Sequence, residues 1–98
     1  MPELSPHVAL LLIDIHIPSS DSLKTKRMVL KSIKDRIRPR FNVSIAEVDY
    51  WDKWQRTLLG ICMIGSEKKH LESSLQGISS FLESLRNIEI NETRLEFL

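Results

Sequence analysis

The chain has 98 residues, of which 42% are hydrophobic and 28% charged, and these proportions predict one globular domain rather than a disordered or collagen-like chain. Its longest clean apolar run, residues 8–13, is far shorter than the ~20 residues that a membrane-spanning helix needs. Cys62 is the single cysteine, so no internal disulfide can form, and no export signal is apparent. We therefore expect a cytoplasmic protein without a membrane attachment.

Charge is distributed unevenly along the chain, although the net charge is only +1. Eight basic residues and one acid, Asp35, lie between Lys24 and Arg40, which gives this segment a charge of +7. The rest of the chain carries a charge of −6. This uneven distribution of charge bears on which partners the protein binds rather than on its fold.

The first two predicted elements are a strand and a helix. Apolar side chains alternate through residues 8–17, which is typical of a strand, and Pro18 ends it. A helix is predicted from about Ser22, because apolar residues then recur at helical spacing as far as Ile37. Pro39 disfavours helical dihedrals at the residue before it, so this helix should end at Ile37 or one residue later.

The second half of the chain predicts two strands, a second helix and a last strand. Residues 43–49 and 57–65 have strand character, and the polar loop between them is long enough for a hairpin. Ser66 is expected to cap the second helix and Asn87 to close it. The alternation of side chains over residues 93–97 predicts the last strand.

The resulting order, β-α-β-β-α-β, predicts the fold. Two helices packed on one face of a four-stranded antiparallel sheet, the ferredoxin-like sandwich, satisfy that order. The preference for right-handed crossovers leaves few other arrangements. We expect a single α+β domain over residues 1–98.

Five cations of the first helix are predicted to form a row beside its buried stripe. With Leu23 as the origin, they lie between about 20° and 100° around the helix axis, whereas the apolar stripe covers about 280° to 360°. This row, called here the basic ladder, comprises Lys24, Arg27, Lys31, Lys34 and Arg38. Neighbouring like charges on a helix repel one another, and a polyanion such as RNA would neutralise them. A solubilising helix face is the alternative explanation, and an acidic protein partner is a third.

No pattern of residues predicts catalysis or metal binding. Asp14 and His16 point to the same side of the first strand, where a carboxylate can orient an imidazole, but no nucleophile lies at a recognisable spacing. We expect His7, His16, His70 and Cys62 on four different elements, without the spacing of metal ligands. We therefore expect a protein that is not an enzyme and that has neither a metal nor a cofactor.

The loop between the second and third strands combines aromatic and charged side chains, among them Trp51, Asp52 and Trp54. Exposed rings there could stack on bases or anchor a protein partner. Alternatively, the ring of Trp54 closes the open end of the core and its N–H binds a carboxylate, which is the arrangement we expect for it. We expect Trp51 to be the more exposed of the two.

The first and third predicted strands are apolar on both faces, which an open sheet face cannot leave in water. Neither strand carries the stacking aromatics by which RNA-recognition motifs of this topology bind RNA. We therefore expect a homodimer, in which a second copy of the chain covers the open face through Leu10, Leu12, Leu59 and Ile61.

Short motifs of this chain occur at residues 16–18, 22–24, 26–27, 41–49 and 52–56. With these motifs the chain resembles the bacterial YlxP-like family, a small domain of unknown function, from Val8 to the C terminus. The resemblance implies a ferredoxin-like fold and no established activity. Genes of this family are often found near those for ribosome maturation and translation factors, which suggests a ribosome-linked role.

Together with the basic ladder, the resemblance favours a non-enzymatic cytoplasmic domain that accompanies RNA or the ribosome. The alternative is a protein–protein interaction or dimerisation module. Such a module would work through the apolar sheet face or through the loop that carries Trp51 and Trp54.

Overall fold

The computed structural model describes residues 6–98, and the regular elements in that range follow the predicted order. Their bounds are β1 His7–His16, α1 Leu23–Ile37, β2 Ser44–Asp49, β3 Arg56–Gly65, α2 Lys68–Glu83 and β4 Glu89–Phe97. The strands form one antiparallel sheet in the order β2-β3-β1-β4. This arrangement confirms the predicted ferredoxin-like α+β fold.

The hydrophobic core lies between the two helices and one face of the sheet. Every second residue of β1 is buried, because successive side chains of a strand point to opposite faces. These side chains pack against the apolar stripes of α1 and α2. The core side chains that are fully buried include Ala9, Ile13, Ile15, Ile37, Leu59, Ile61, Leu71, Leu75, Ile78 and Leu82.

The pairing of β1 with β3 decides which apolar side chains face the helices. Leu59 and Ile61 lie opposite core residues of β1 and are themselves fully buried. Leu10 and Leu12 lie on the other side of the sheet, called here the open face, where Leu12 is opposite Gly60. The four residues predicted to form one dimer face therefore lie on two faces. The prediction was wrong for Leu59 and Ile61, because the antiparallel register places them under the helices.

The second helix differs from the prediction at both ends. Ser66 does not cap it: Glu67 occupies the N-cap position and makes no capping hydrogen bond with its side chain. The helix ends before Asn87, because Ser84 is the C-cap and its N–H bonds to carbonyls of the last turn. The early end leaves a short connection that brings Ile88 into the core.

Membrane-spanning helices and clusters of metal-binding side chains are both absent from the described region. Within residues 6–98, no helix is long and apolar enough to cross a membrane. The same range contains no group of three histidine, cysteine, aspartate or glutamate side chains that could hold a metal ion. Cys62 is a free thiol on the open face, where it is half-buried opposite Leu10.

Candidate nucleic-acid interface

The helix that carries the basic ladder begins with a well-formed cap. The Oγ of Ser22 accepts a hydrogen bond from the backbone N–H of Thr25 at 3.0 Å. Asp21 accepts instead from the hydroxyl of Thr25, at 2.8 Å, so its carboxylate does not occupy the backbone capping site. The first turn contains no acidic residue, so all of its charge is positive.

The structure places the basic ladder along one flank of α1, beside the buried stripe. The side chains of Lys24, Arg27, Lys31 and Arg38 are exposed, and that of Lys34 is half-buried. The ladder is about 21 Å long, since an α-helix rises 1.5 Å per residue. Its cations therefore form a continuous charged strip on the surface.

Little of this positive charge is neutralised within the protein. The Nζ of Lys31 lies 2.6 Å from a carboxylate oxygen of Asp35, but both side chains are mostly exposed, and such pairs contribute little. Among residues 6–98, no carboxylate lies within 4.0 Å of the charged nitrogens of the other ladder residues. Four of the five cations are therefore available to a ligand.

A shallow groove of about 400 Å³ runs beside the ladder, called here the α1–β2 groove. Arg27, Lys31, Lys34 and Arg38 line it on α1, and Glu47 lines it on β2. Because β2 is an edge strand of the sheet, no further strand closes this side of the groove. Asp35 lines it as well. Within residues 6–98 the groove therefore offers an anion three cations without a carboxylate partner, Arg27, Lys34 and Arg38.

Lys26 is a basic residue of α1 whose role the sequence analysis missed. Its side chain is only 1% exposed, and its ammonium lies 2.9 Å from the carboxylate of Glu47. The same ammonium donates to the carbonyl oxygens of Tyr50, Trp51 and Arg56 at 2.8, 3.3 and 3.3 Å. Lys26 lies at about 300° around the helix, inside the apolar stripe, and a lysine at that angle was the signal that could have revealed it.

These bonds fasten the segment between β2 and β3, called here the tryptophan loop (residues 50–55), to α1. The side-chain amide of Gln55 holds the other end of the loop through the carbonyl oxygens of Pro18 and Ser20, at 3.0 and 3.1 Å. Tyr50 adopts a positive φ of 65°, an uncommon conformation for a residue with a bulky side chain. The loop is therefore an ordered platform, held from two sides.

The tryptophan loop presents its aromatic rings to solvent. Trp51 is 64% exposed, as predicted, and its indole N–H donates to the carbonyl oxygen of Glu47 at 2.9 Å. Trp54 is 56% exposed, so the prediction that it closes the core was wrong. The ammonium of Lys26, and not the ring of Trp54, is the buried group that binds the carbonyl oxygens of this loop. Asp52 is exposed beside them.

The polar end of the open face is organised around Asp14 and Arg56. The guanidinium of Arg56 donates two hydrogen bonds to Asp14, at 3.1 and 2.7 Å, and lies 4.0 Å from the centre of the Tyr50 ring. The hydrogen bond from Arg56 lowers the pKa of Asp14 below its usual value, against the opposing effect of burial, and Asn91 adds a weaker bond. His16 lies 3.0 Å from the carbonyl oxygen of Gln55. The carboxylate of Asp14 is thus bound to arginine rather than orienting the imidazole of His16.

Beside this pair, the open face is apolar on β1 and β3 and charged on β4, where Glu96 and Arg94 lie opposite Leu10 and Leu12. Leu10, Leu12 and Leu58 are half-buried, while Val48 and Ile64 are 42% and 62% exposed. These side chains form a patch on the side of the sheet that carries no helix. The patch and the basic ladder therefore occupy opposite sides of the domain.

Comparisons with known proteins identify the family and support the fold. The chain is 44% identical over 81 residues to the uncharacterized protein YlxP of Bacillus subtilis (strain 168), which covers 83% of this chain and 88% of that protein. The de novo designed protein Foldit4 has a similar structure, with a TM-score of 0.57 and 16% identity. That match covers 94% of this chain and 97% of the designed one, and it supports the fold alone. A family model described as "Protein of unknown function (DUF503)" matches residues 8–95, and the chain therefore belongs to the DUF503 family.

Proposed function

We propose that this domain binds RNA, either free or within the ribosome, through the basic ladder and the α1–β2 groove. The observation that carries the proposal is the strip of four exposed or half-buried cations, Lys24, Arg27, Lys34 and Arg38, which have no carboxylate partner within residues 6–98. Placing like charges side by side on a helix destabilises it slightly. A ligand with regularly spaced negative charges offsets that cost and releases counterions when it binds.

The proposed contacts are made mainly with phosphates. Lysine and arginine side chains on an open helix flank can reach a backbone, whereas base-specific recognition needs side chains that approach base edges. The affinity should therefore depend strongly on salt. If all five ladder cations engage single-stranded RNA, a log–log plot of affinity against salt should have a slope of about −3.5, from roughly −0.7 for each neutralised phosphate.

The test is a fluorescence anisotropy titration of labelled RNA between 50 and 200 mM salt, about the range over which such contacts weaken. The triple variant R27Q/K31Q/K34Q should flatten the slope by about two units. Its matched control, K68Q/K69Q/R86Q, removes the same charge from exposed positions at and beyond α2 and should bind almost as the wild type does. Circular dichroism must show that both variants are folded.

A single substitution in the groove should raise the affinity for RNA, whereas the triple variant lowers it. Asp35→Asn removes the carboxylate that neutralises Lys31, so it should strengthen binding. Glu72→Gln, which removes an exposed charge from α2, is its control and should leave the affinity nearly unchanged. The proposal fails if the wild type shows no salt-sensitive binding to RNA or ribosomes at low salt. It also fails if ladder and control variants weaken binding equally, because the charge would then act only as a diffuse field.

The open face supports a second candidate function, homodimerisation. Its apolar patch includes Val48 and Ile64, which are too exposed to contribute much to the core of one chain. The whole face, from four strands about 4.8 Å apart and up to about 30 Å long, covers roughly 600 Å², and the apolar patch is only part of it because β4 contributes charged side chains there. A second copy packed face to face would therefore bury somewhat less than the ~800 Å² per partner of a standard interface, with the charged strand β4 at its margin.

Light scattering at high micromolar concentration tests this candidate. A dimer should have twice the 11.4 kDa mass of one chain. Ile64→Lys should convert it to a monomer, whereas Met28→Lys, at a comparably exposed position on α1, should not. A monomeric wild type would refute dimerisation and leave the RNA proposal unaffected.

A further inference from the structure

Trp51 combines an exposed ring with hydrogen bonds to its backbone carbonyl and to its indole N–H. A tryptophan left 64% exposed in a small domain gains little from burial. Yet its carbonyl oxygen is held by Lys26, and its indole N–H is held by Glu47. The ring is fixed by its edge and its backbone, and most of its surface stays open to a ligand.

The contacts of Trp51 also place it beside the α1–β2 groove. Glu47, whose carbonyl accepts the indole N–H, is the β2 residue that lines the groove. Lys26, which binds the Trp51 carbonyl, precedes Arg27, the first groove cation on α1. Trp51 is thus bonded to one residue of the groove, Glu47, and to the sequence neighbour of another, Arg27.

An aromatic ring beside a cationic groove has a defined chemical preference. Cations track the phosphates of any nucleic acid, but a ring can stack only on a base that is not already paired and stacked in a helix. Stacking tolerates different bases, because every base has a π-face. The combination of cations and an aromatic ring therefore distinguishes single-stranded from double-stranded nucleic acid, and not one base sequence from another.

We propose that the α1–β2 groove binds single-stranded RNA, with phosphates on the ladder cations and one unpaired base stacked on Trp51. This inference rests on the proposed RNA binding and adds the class of RNA to it. Duplex RNA contacts the same cations but cannot use the ring. Single-stranded RNA should therefore bind more tightly than the duplex, and Trp51 should account for the difference.

The test uses a labelled 12-nucleotide RNA without self-complementarity, alone and annealed to its complement. Trp51→Ala should weaken binding of the single strand by about 5- to 150-fold and change binding of the duplex less than about twofold. Trp54→Ala is the matched control, since it removes a similarly exposed ring from the same loop, and it should leave both affinities nearly unchanged. Trp51→Phe keeps an aromatic face without the indole N–H and should restore most of the affinity for the single strand.

Fluorescence supplies a second measurement, which does not depend on whether Trp51→Ala folds. In Trp54→Ala, Trp51 is the one remaining tryptophan, and the single strand should quench it while the duplex should not. The inference is overturned if Trp51→Ala weakens both ligands equally, or neither, or if the single strand does not quench Trp51. In each of these cases salt-sensitive RNA binding by the ladder still stands. Absence of any salt-sensitive RNA binding would instead refute the proposed function itself.

Discussion

The buried ion pair of Lys26 leads to the sharpest stability prediction. Lys26→Met keeps most of the apolar stem of the side chain, which packs in the α1 stripe, and removes the ammonium. The change leaves the carboxylate of Glu47 with Thr57 as its remaining hydrogen-bond donor, at 2.7 Å. It also removes a donor from three carbonyl oxygens of the tryptophan loop and its flanks, of which that of Tyr50 keeps the backbone N–H of Lys53 at 3.0 Å. The perturbation is therefore electrostatic rather than steric.

The size of the expected loss in the free energy of unfolding follows from the burial of the ion pair between Lys26 and Glu47. The side chains of Lys26 and Glu47 are 1% and 17% exposed, so water cannot readily replace the missing ammonium. Removing one partner of a buried pair costs about 3–5 kcal/mol, because the other charge is left uncompensated. A domain of this size has a free energy of unfolding of about 5–15 kcal/mol. Lys26→Met should therefore remove a large fraction of it.

The assay is urea denaturation, followed both by far-ultraviolet circular dichroism and by tryptophan fluorescence. The midpoint should fall by roughly 1–5 M, given the usual slope of about 1–3 kcal/mol per molar urea. Lys24→Met, the same substitution at an exposed position of the same helix, should shift the midpoint very little. The reasoning is refuted if Lys26→Met costs less than about 1 kcal/mol, which is the upper range for a surface pair.

A double-mutant cycle separates the pair from the other contacts of Lys26. Glu47→Gln removes the negative charge and retains an acceptor for Thr57. In the Lys26→Met/Glu47→Gln variant no uncompensated charge is buried, so it should be more stable than the sum of the two single changes predicts. The difference should be at least about 1 kcal/mol, within the range found for residues in direct contact. Additive changes would show that the loop carbonyls, not Glu47, account for the cost.

Two further predictions concern the open face. The lowered pKa of Asp14 stabilises the fold at pH values above the unfolded-state pKa of about 3.9. This contribution is lost as the pH falls through the pKa of the folded state. Asp14→Asn should therefore be less stable than the wild type at pH 7, and the difference between their denaturation midpoints should disappear on acidification. A gap that stays constant with pH would exclude the pair with Arg56 as its source. A Cβ at Gly60 would lie 3.1 Å from a methyl group of Val48, so Gly60→Ala should destabilise the wild type by about 1 kcal/mol. In a Val48→Ala background the same change should be neutral or stabilising, and an unchanged cost there would contradict the steric explanation.

Most of the regular elements were predictable from the sequence because local patterns determine them, but β4 begins at Glu89, four residues before the predicted residue 93. The alternation in β1 and the helical spacing in α1 each gave an element within about one residue of its observed ends, and Pro39 marked the end of α1. The ends of α2 were less predictable. Ser66 is a good capping residue by type, but the helix begins after Glu67, and the choice between them depends on how the chain leaves β3.

The face of the sheet on which each apolar side chain lies could not be predicted as well. Strands β1 and β3 are apolar on both faces, so their sequences do not show which set of side chains lies under the helices. The register of β1 with β3 decides it, and register is a long-range property. Leu59 and Ile61 were assigned to the open face because nothing within β3 itself distinguishes them from Leu58 and Cys62.

Lys26 and Arg27 show how one basic segment serves two purposes. They are adjacent in sequence and therefore about 100° apart around α1, which separates a buried side chain from an exposed one. Counting charge along the segment treats them alike, whereas the helical angle places Lys26 in the apolar stripe and Arg27 in the ladder. The buried ammonium binds the carbonyl oxygen of Trp51, and the exposed guanidinium lines the groove. One turn of helix thus contributes both to the loop that carries the exposed ring and to the row of cations, the two features on which the proposed binding of single-stranded RNA depends.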